Sequence, residues 1–209
     1  MSIHYVMYDN IGGGIIVSNL LIFGAGGHGK VVLEAAELEG KWNQIAFLDD
    51  RQDLKCVFNY NIIGNISKYT QLIDRFEYAF VAMGNNQLRL QWIDRLLDAN
   101  YKVPTIIHPK ASVSKYSNLE VGTVILAGAV VNISTKIGRG SIININACVD
   151  HDCEIGNGVH ISAGAIVRSS CKVGDLSNLK ATSCVKEGTC LGKNFLLPEG
   201  RIADGDQII

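Results

Sequence analysis

The sequence predicts a small N-terminal α/β domain followed by a parallel β-helix of hexapeptide repeats. Two observations predict this fold class: a strand, a glycine-rich turn and a helix near the start, and a six-residue period of apolar residues through the second half. The composition fits compact domains, since 47% of the 209 residues are hydrophobic and only 3 are proline. The net charge of −1 excludes binding to nucleic acid through a basic groove.

The first nineteen residues belong to no predicted element, so we treat residues 1–19 as an extension. They contain no Lys or Arg and are interrupted by Gly12, Gly13 and Gly14, unlike a secretion signal. The chain also has no run of about 18 apolar residues, the length that a membrane-spanning helix needs. We therefore expect a cytoplasmic protein without a membrane span.

The α/β domain is predicted over residues 20–104, with a Rossmann-like start. The apolar run Leu20–Phe23 reads as a strand, Gly24–Gly29 as a turn, and Lys30–Glu39 as a helix. Glycines let backbone N–H groups approach an anion, and the N-terminus of a helix favours negative charge. This arrangement predicts a phosphate-binding loop.

Two further strands are predicted in this domain, and each ends in polar residues. The strand Ile45–Leu48 runs into Asp49 and Asp50, whose carboxylates could bind a ribose or a base edge. The strand Tyr78–Met83 runs into a Gly-Asn-Asn segment, and the helix after it carries Arg89.

The glycine turn permits other interpretations. It matches the GxGxxG fingerprint of dinucleotide enzymes, with an acidic residue about 20 positions later. A complete dinucleotide fold needs two βαβαβ halves, however, and the segment before the repeat is too short for both. A mononucleotide P-loop is excluded because Val31 stands where a Mg²⁺-binding hydroxyl is required. A tight turn that binds no ligand is the remaining alternative interpretation.

The second half repeats every six residues. Each sixth residue from Ile107 to Ile209 is apolar, and the residue two positions before it is small through most of the repeat. Six is a multiple of two, so both positions lie on one inward face of a strand. A sandwich would instead show turns at about 8 to 12 residues. The repeat predicts a β-solenoid over residues 105–209.

Glycines that follow the apolar position add a longer period of eighteen residues. They suggest three hexads per coil, a triangular cross-section with glycine at a corner, and a prism about 29 Å tall for six coils. These glycines are Gly138, Gly156, Gly174 and Gly192.

This repeat resembles the left-handed β-helix of hexapeptide-repeat acyltransferases. With the Gly-Ala-Gly-Gly-His-Gly, Phe-Leu-Asp-Asp and Gly-Asn-Asn segments, the chain resembles bacterial sugar acetyltransferases that modify nucleotide-linked 4-amino-4,6-dideoxy sugars, and the related sialic acid O-acetyltransferases. The resemblance implies a left-handed solenoid, a homotrimer, and acetyl-CoA bound in grooves between adjacent prisms. It also implies a role in surface polysaccharide biosynthesis, including lipopolysaccharide O-antigen.

The resemblance also implies the binding residues. Asp49 and Asp50 would contact the base or ribose of the nucleotide, and His160 would lie near the acyl-CoA. The residues near the diphosphate and sugar would be Gly26, Gly27, His28 and Gly29.

His151 is the candidate general base. By the hexad register it lies at an outward corner, and nearby carboxylates stabilise a charged imidazole. The family pattern supports this role, assigns Asp152 to orienting the ring and places Asn144 near the sugar. Direct attack of the sugar amine on acetyl-CoA is expected, because Cys153 points inward and cannot act as nucleophile. No metal is expected, because adjacent residues of a β-chain cannot all face one ion.

The last coils depart from the family pattern. Larger residues replace small ones at Phe195, Arg201 and Gln207, and the Gly-rich tail common in relatives is missing. These departures keep a non-catalytic trimer that binds sugar nucleotides as an alternative. O-acetylation of sialic acid is the other alternative, and the sequence does not choose among UDP, dTDP and GDP.

Overall fold

The computed structural model describes residues 18–207. The predicted extension, residues 1–19, therefore lies almost entirely outside the described residues, and the predicted boundary near Pro104 stays a prediction. The α/β part contains β1 Asn19–Phe23, α1 Gly27–Glu39, β2 Gln44–Leu48, β3 Cys56–Val57, β4 Tyr60–Gly64, a 3-10 helix Ile66–Gln71, β5 Tyr78–Val81 and α2 Asn86–Asp98.

The sheet of this part has the order β3-β4-β2-β1-β5. Four strands are parallel, and β3 pairs with β4 antiparallel as a hairpin at the edge. The parallel strands have the order of one half of a dinucleotide-binding fold, which confirms the predicted Rossmann-like domain. The apolar run of β1 is fully buried because helices and loops cover both faces of a parallel sheet.

Helix α1 begins at Gly27, three residues earlier than the sequence predicts. Gly26 is its N-cap and makes no side-chain hydrogen bond. Glycine is a poor helix former, so the glycine-rich segment conceals the first turn of the helix from propensity arguments. As a result His28 and Gly29 belong to the helix and not to the turn before it.

The second part is a left-handed parallel β-helix, as predicted. Its strands form three parallel sheets, named by their surroundings: the seam face (β6-β9-β12-β15-β18-β21), the apolar face (β7-β10-β13-β16-β19-β22) and the ion-pair face (β8-β11-β14-β17-β20). The strands are β6 Ile106–Ile107, β7 Ser112–Val113, β8 Asn118–Leu119, β9 Val124–Ile125, β10 Val130–Val131, β11 Lys136–Ile137, β12 Ile142–Ile143, β13 Cys148–Val149, β14 Glu154–Ile155, β15 His160–Ile161, β16 Ile166–Val167, β17 Lys172–Val173, β18 Asn178–Leu179, β19 Cys184–Val185, β20 Cys190–Leu191, β21 Leu196–Leu197 and β22 Ile202–Ala203.

Each strand pairs with the strand eighteen residues further along, as between Ile137 and Ile155. The predicted inward rows of aliphatic and small residues form one buried core along the axis. This core extends to Leu197 and Ala203, and Phe195 packs against it, so the larger residues of the last coils do not end the solenoid.

The corners of the prism are made by residues in the left-handed region, one every six positions. They include non-glycine residues such as Asp152, Leu176 and Thr182, with φ near +60°. Gly138, Gly156 and Gly174, which the sequence predicts at a corner, directly follow strands of the ion-pair face and precede a corner turn, but their own φ values lie outside the left-handed region. They are glycines because coils stack closely: a Cβ on Gly138 would lie 2.6 Å from the carbonyl carbon of Gly156.

The α/β part packs against the seam face. Outward residues of that face, Ile106, Val124 and Ile142, are buried in one cluster with residues of α1 and the sheet. Polar contacts join the two parts as well: the backbone N–H of Ile107 donates to Glu39 Oε1 at 2.9 Å. The carboxyl end of β1, where the glycine loop begins, therefore lies beside the solenoid. No helix among residues 18–207 is long and apolar enough to span a membrane.

Candidate active site

The four glycines of the segment Gly24–Gly29 have three different structural roles. Gly24 has φ +97°, a conformation that makes the sharp turn after β1. Gly29 faces this turn, since a Cβ there would lie 2.1 Å from the carbonyl oxygen of Gly24. Gly26 and Gly27 instead have nothing within 4 Å of a Cβ, so their backbone stays open to a ligand. These are the turn, approach and packing roles that a phosphate-binding fingerprint requires.

An open cavity of about 360 Å³ lies beside Gly26 and Gly27. Its basic side chains are Lys30 and Arg51, and the β3–β4 hairpin forms its apolar wall. The remaining lining residues are Ala25, Leu54, Cys56, Val57 and Phe58. The cavity therefore combines an open glycine backbone and basic side chains with an apolar wall.

Asp49 and Asp50 bind protein groups in this structure. Asp49 accepts hydrogen bonds from the backbone N–H of Ala25 at 2.7 Å and from the Arg51 guanidinium at 2.8 and 2.9 Å. The Arg51 hydrogen bond is the main reason why the pKa of Asp49 lies well below its usual range. Asp50 accepts from the backbone N–H of Ile66 at 2.9 Å. Asp49 thus holds the glycine loop, and Asp50 holds the start of the 3-10 helix.

A polar cluster lies where the glycine loop meets the seam face. His28, His160 and Arg89 are near enough for their charges to influence one another. Asn144 places its side-chain nitrogen 3.2 Å from His160 Nε2. The structure therefore brings together three predicted binding residues that lie far apart in the sequence.

Burial, with a smaller contribution from the charge of Arg89, lowers the pKa of both histidines of this cluster to about 4. Both imidazoles are therefore neutral near pH 7. Neutral His160 accepts a hydrogen bond from Asn144 through Nε2, which places its own proton on Nδ1. Two buried atoms, His28 Nε2 and Asn178 Oδ1 on the strand next to His160, have no partner within residues 18–207.

Arg89 is fully buried and joins the two parts of the chain. Its guanidinium donates to the carbonyl oxygens of Gly140 at 2.5 Å and Gly158 at 3.0 Å in the solenoid. It also donates to Met83 O at 2.8 Å. A buried charge must be compensated, and here backbone carbonyls compensate it. The sequence carries no signal for this role, since a single arginine on an amphipathic helix normally faces solvent.

His151 lies at the corner between the apolar face and the ion-pair face. Its Nδ1 is 2.8 Å from Asp152 Oδ2, and about half of its side chain is exposed. The hydrogen bond to Asp152 is the main reason why the pKa of His151 is raised above its usual value of 6.5. Since Asp152 occupies Nδ1, the other ring nitrogen, Nε2, is left for chemistry.

A second carboxylate fixes the backbone of this corner. Asp150 accepts from the backbone N–H of His151 at 2.8 Å and from Asn132 Nδ2 at 3.0 Å. Asn132 lies one coil earlier, so the sequence around His151 does not reveal it. The eighteen-residue period could have identified it, because it places residue 132 beside residue 150.

Within one chain, His151 and the polar cluster lie at different corners. Asn144 follows β12 of the seam face, whereas His151 follows β13 of the apolar face. The strand of the apolar face lies between Asn144 and His151. At about 3.3 Å per extended residue, it separates the two side chains by on the order of 15 Å. The predicted base and the predicted binding residues therefore do not meet in a single chain.

The remaining candidate chemistry is limited. Cys153 is fully buried in the solenoid core, and the pKa of its thiol is raised by Cys171 and by burial, so it is no nucleophile. Across residues 18–207, no group of three or more His, Cys, Asp or Glu side chains is arranged to hold a metal ion.

Comparisons with known families match both parts of the chain. Residues 19–96 match the PglD N-terminal domain, and residues 134–169 match the bacterial transferase hexapeptide family of six repeats.

Solved structures match almost the whole chain. The acetyltransferase domain of PglB from Neisseria gonorrhoeae, in complex with acetyl coenzyme A, is 35% identical, with 91% of this chain and 92% of that chain covered and a TM-score of 0.85. PerB from Caulobacter crescentus, in complex with CoA and GDP-perosamine, is 29% identical, with 91% and 90% covered and a TM-score of 0.86.

The family domains and the solved structures agree with the two-part fold. The chain belongs to the hexapeptide-repeat sugar acetyltransferases with a PglD-type N-terminal domain, and it is an acyltransferase.

Proposed function

We propose that this protein transfers the acetyl group of acetyl-CoA to the amine of a nucleotide-linked 4-amino-4,6-dideoxy sugar. The observation that carries the proposal is the joint presence of the His151–Asp152 pair and a phosphate-binding glycine loop with an open cavity. PerB supports the substrate class, since it is a structural neighbour in complex with CoA and GDP-perosamine. PglB, in complex with acetyl coenzyme A, supports the acyl donor.

In the proposed reaction the sugar amine attacks the thioester carbonyl directly. A new C–N bond forms, the C–S bond breaks, and CoA leaves as its thiolate. His151 Nε2 accepts the proton that the amine loses and returns it to the sulfur. Asp152 is a positioning residue: it holds the proton on Nδ1 and stabilises the imidazolium that forms during attack.

We infer that two chains build each site within a homotrimer. His151 of one chain would face the polar cluster of a neighbouring chain, and the separation of on the order of 15 Å within one chain makes a second copy necessary. The apolar face supports this arrangement, since Ile166 and Ile202 on its outer side are 42% and 63% exposed. Half-buried Val130, Cys148 and Cys184 lie in the same sheet, so the apolar surface is continuous.

The neutral polar cluster is suited to the substrates. We propose that His28 contacts the sugar and that the loop glycines bind the diphosphate; these glycines are Gly26, Gly27 and Gly29. We further propose that His160 lies beside the acetyl-CoA thioester and that Asn144 holds the His160 ring. Two neutral imidazoles do not repel a nearby sugar ammonium, which must lose a proton before attack. We expect the reaction in the cytoplasm, where acetyl-CoA is available.

The test is thiol release from acetyl-CoA with UDP-, dTDP- and GDP-linked 4-amino sugars, with free sialic acid in parallel. Turnover with an amino sugar nucleotide supports the proposal. Turnover with sialic acid alone would show an O-acetyltransferase, and no turnover with any acceptor would favour a non-catalytic binding trimer.

Shared sites are tested by mixing inactive variants. His151→Ala and His28→Ala chains, unfolded and refolded together, should regain activity, because some mixed trimers contain an intact site. Each variant refolded alone is the control. If the mixture stays as inactive as the controls, the two residues act within one chain.

A further inference from the structure

The β3–β4 hairpin carries an exposed aromatic side chain in a strained backbone conformation. Phe58 is 73% exposed, and its φ is +49°. A two-residue hairpin turn needs such angles, but Gly, Asn or Asp normally supplies them. For an L-residue the left-handed region is sterically unfavourable, because the Cβ approaches the following carbonyl oxygen. Neither burial nor backbone preference therefore explains a phenylalanine at this position.

The strained residue lines the cavity beside the glycine loop. Phe58, Val57 and Leu54 form its apolar side, whereas Gly26 and Gly27 form its phosphate-binding side. Lys30 and Arg51 give the cavity positive charge, and Asp49 is already paired with Arg51. The volume of about 360 Å³ is within the usual range for small-molecule sites. A ligand with a flat apolar ring joined to phosphates matches both sides.

We propose that Phe58 is the platform on which the nucleobase of the sugar nucleotide stacks. This inference rests on the proposed function and names a residue that determines affinity for its substrate. The diphosphate lies against the backbone of Gly26 and Gly27, and the base lies against the hairpin. The carboxylates of Asp49 and Asp50 hold the loop and the 3-10 helix, and the aromatic ring supplies the contact with the base.

Stacking on an aromatic ring is tolerant of sequence, because every base has a π-face. Phe58 is therefore expected to strengthen binding of UDP, dTDP and GDP alike. It should have no effect on inorganic pyrophosphate, which has no base. This difference between ligands separates a stacking role from a general effect on the shape of the loop.

The decisive variant is Phe58→Gly, measured by calorimetric titration of the full chain with UDP, dTDP, GDP and pyrophosphate. Glycine removes the ring and also suits a positive φ, so the variant should fold at least as stably as the wild type. Affinity for the nucleotide that binds the wild type should fall roughly 5- to 150-fold, and pyrophosphate binding should not change. Phe58→Tyr should retain wild-type affinity.

The matched control is Thr182→Gly. Thr182 also has a left-handed φ, +58°, but it lies at a corner of the solenoid away from the hairpin. This variant should gain stability from the same relief of strain and keep its nucleotide affinity. Comparison of the two glycine variants thus separates strain from stacking.

Cys56 provides an independent readout. It lines the cavity and is exposed, whereas the other five cysteines are buried or half-buried. A bound base should slow alkylation of Cys56 by iodoacetamide in the wild type, and less so in Phe58→Gly at the same nucleotide concentration. Equal nucleotide affinity of Phe58→Gly and the wild type would overturn the stacking role alone. Failure of the wild type to bind any of the three nucleotides would contradict the proposed function itself.

Discussion

Two substitutions in the glycine loop should change stability in opposite directions. Gly29→Ala places a methyl group 2.1 Å from the carbonyl oxygen of Gly24, where ordinary contacts begin at 3.4 Å. That oxygen belongs to rigid backbone, since the N–H of Gly24 donates to Leu48 O at 2.9 Å. The turn or the first turn of α1 must therefore move by about 1 Å. Overpacking of this kind typically costs about 1 to 3 kcal/mol, and we expect the upper part of that range.

Gly27→Ala is the matched variant, two residues away in the same helical turn. A Cβ on Gly27 has nothing within 4 Å, and its φ is compatible with alanine. Alanine in a helix should therefore stabilise the fold by about 0.5 to 1 kcal/mol. Its methyl group narrows the access of phosphate to the backbone, so we expect nucleotide affinity to fall at least about tenfold, or about 1.4 kcal/mol.

Urea unfolding followed by tryptophan fluorescence measures both stabilities. Trp92 reports on this region, because its ring lies 5.7 Å from that of Phe23 at the end of β1. Calorimetric titration with the nucleotide measures affinity. A Gly29→Ala chain as stable as the wild type would refute the packing of Gly29 against Gly24. A Gly27→Ala chain less stable than the wild type would refute the claim that the space around Gly27 is open.

Three further predictions concern the base, the polar cluster and the stacked coils. Because Asp152 raises the pKa of His151 above 6.5 and the base must be neutral, kcat/KM should fall as the pH drops through that raised value. In Asp152→Asn, whose asparagine also tolerates a left-handed φ, the acidic limb of the pH profile should move to lower pH. An acidic limb that does not move would show that Asp152 does not act on His151. The pKa of His28 and His160 is about 4 in the folded chain against 6.5 in the unfolded chain, so the unfolded chain binds more protons and the stability present above pH 6.5 is lost towards pH 4. At pH 5 the loss in free energy of unfolding should be about 2 kcal/mol per histidine. In urea unfolding curves, His28→Gln should lack the part of this pH dependence that His28 contributes. Gly156→Ala should lower the free energy of unfolding by about 1 to 3 kcal/mol, since its Cβ would lie 2.6 Å from Asp175 N. Gly84→Ala is the control and should not change stability, because a Cβ on Gly84 has nothing within 4 Å. Equal thermal stability of the two variants would contradict the coil-stacking role of Gly156.

The solenoid was predictable from the sequence because its repeat is regular. Side chains of a strand alternate between inward and outward every two residues, and two divides the six-residue repeat evenly. Inward positions such as Ile137 and Ile155 can therefore be assigned from the spacing of apolar residues alone. The corner conformation was less accessible. Residues as different as Ser134, Leu176 and Gly188 adopt it, because stacking of coils imposes the backbone angle and overrides residue preference.

The site was predictable where a local motif carries it. The Gly24–Gly29 loop and the His151–Asp152 pair are contiguous in sequence. The structure shows an open loop backbone and the His151–Asp152 hydrogen bond, and the roles of these residues stay predictions. The joining role of Arg89 and the contact of Asn132 with Asp150 were not identified, because the partners lie 51 and 18 residues away in the sequence. Phe58 was not identified because the two-residue turn that carries it has no glycine.

The most direct test of the proposed function is the rate of CoA release by wild type and His151→Ala with the amino sugar nucleotide that the wild type uses. The variant should bind acetyl-CoA and the sugar nucleotide with wild-type affinity by calorimetry, while its kcat falls about 10²- to 10⁴-fold, the usual loss of a general base. A His151→Ala enzyme that keeps most of the wild-type kcat/KM would contradict the account.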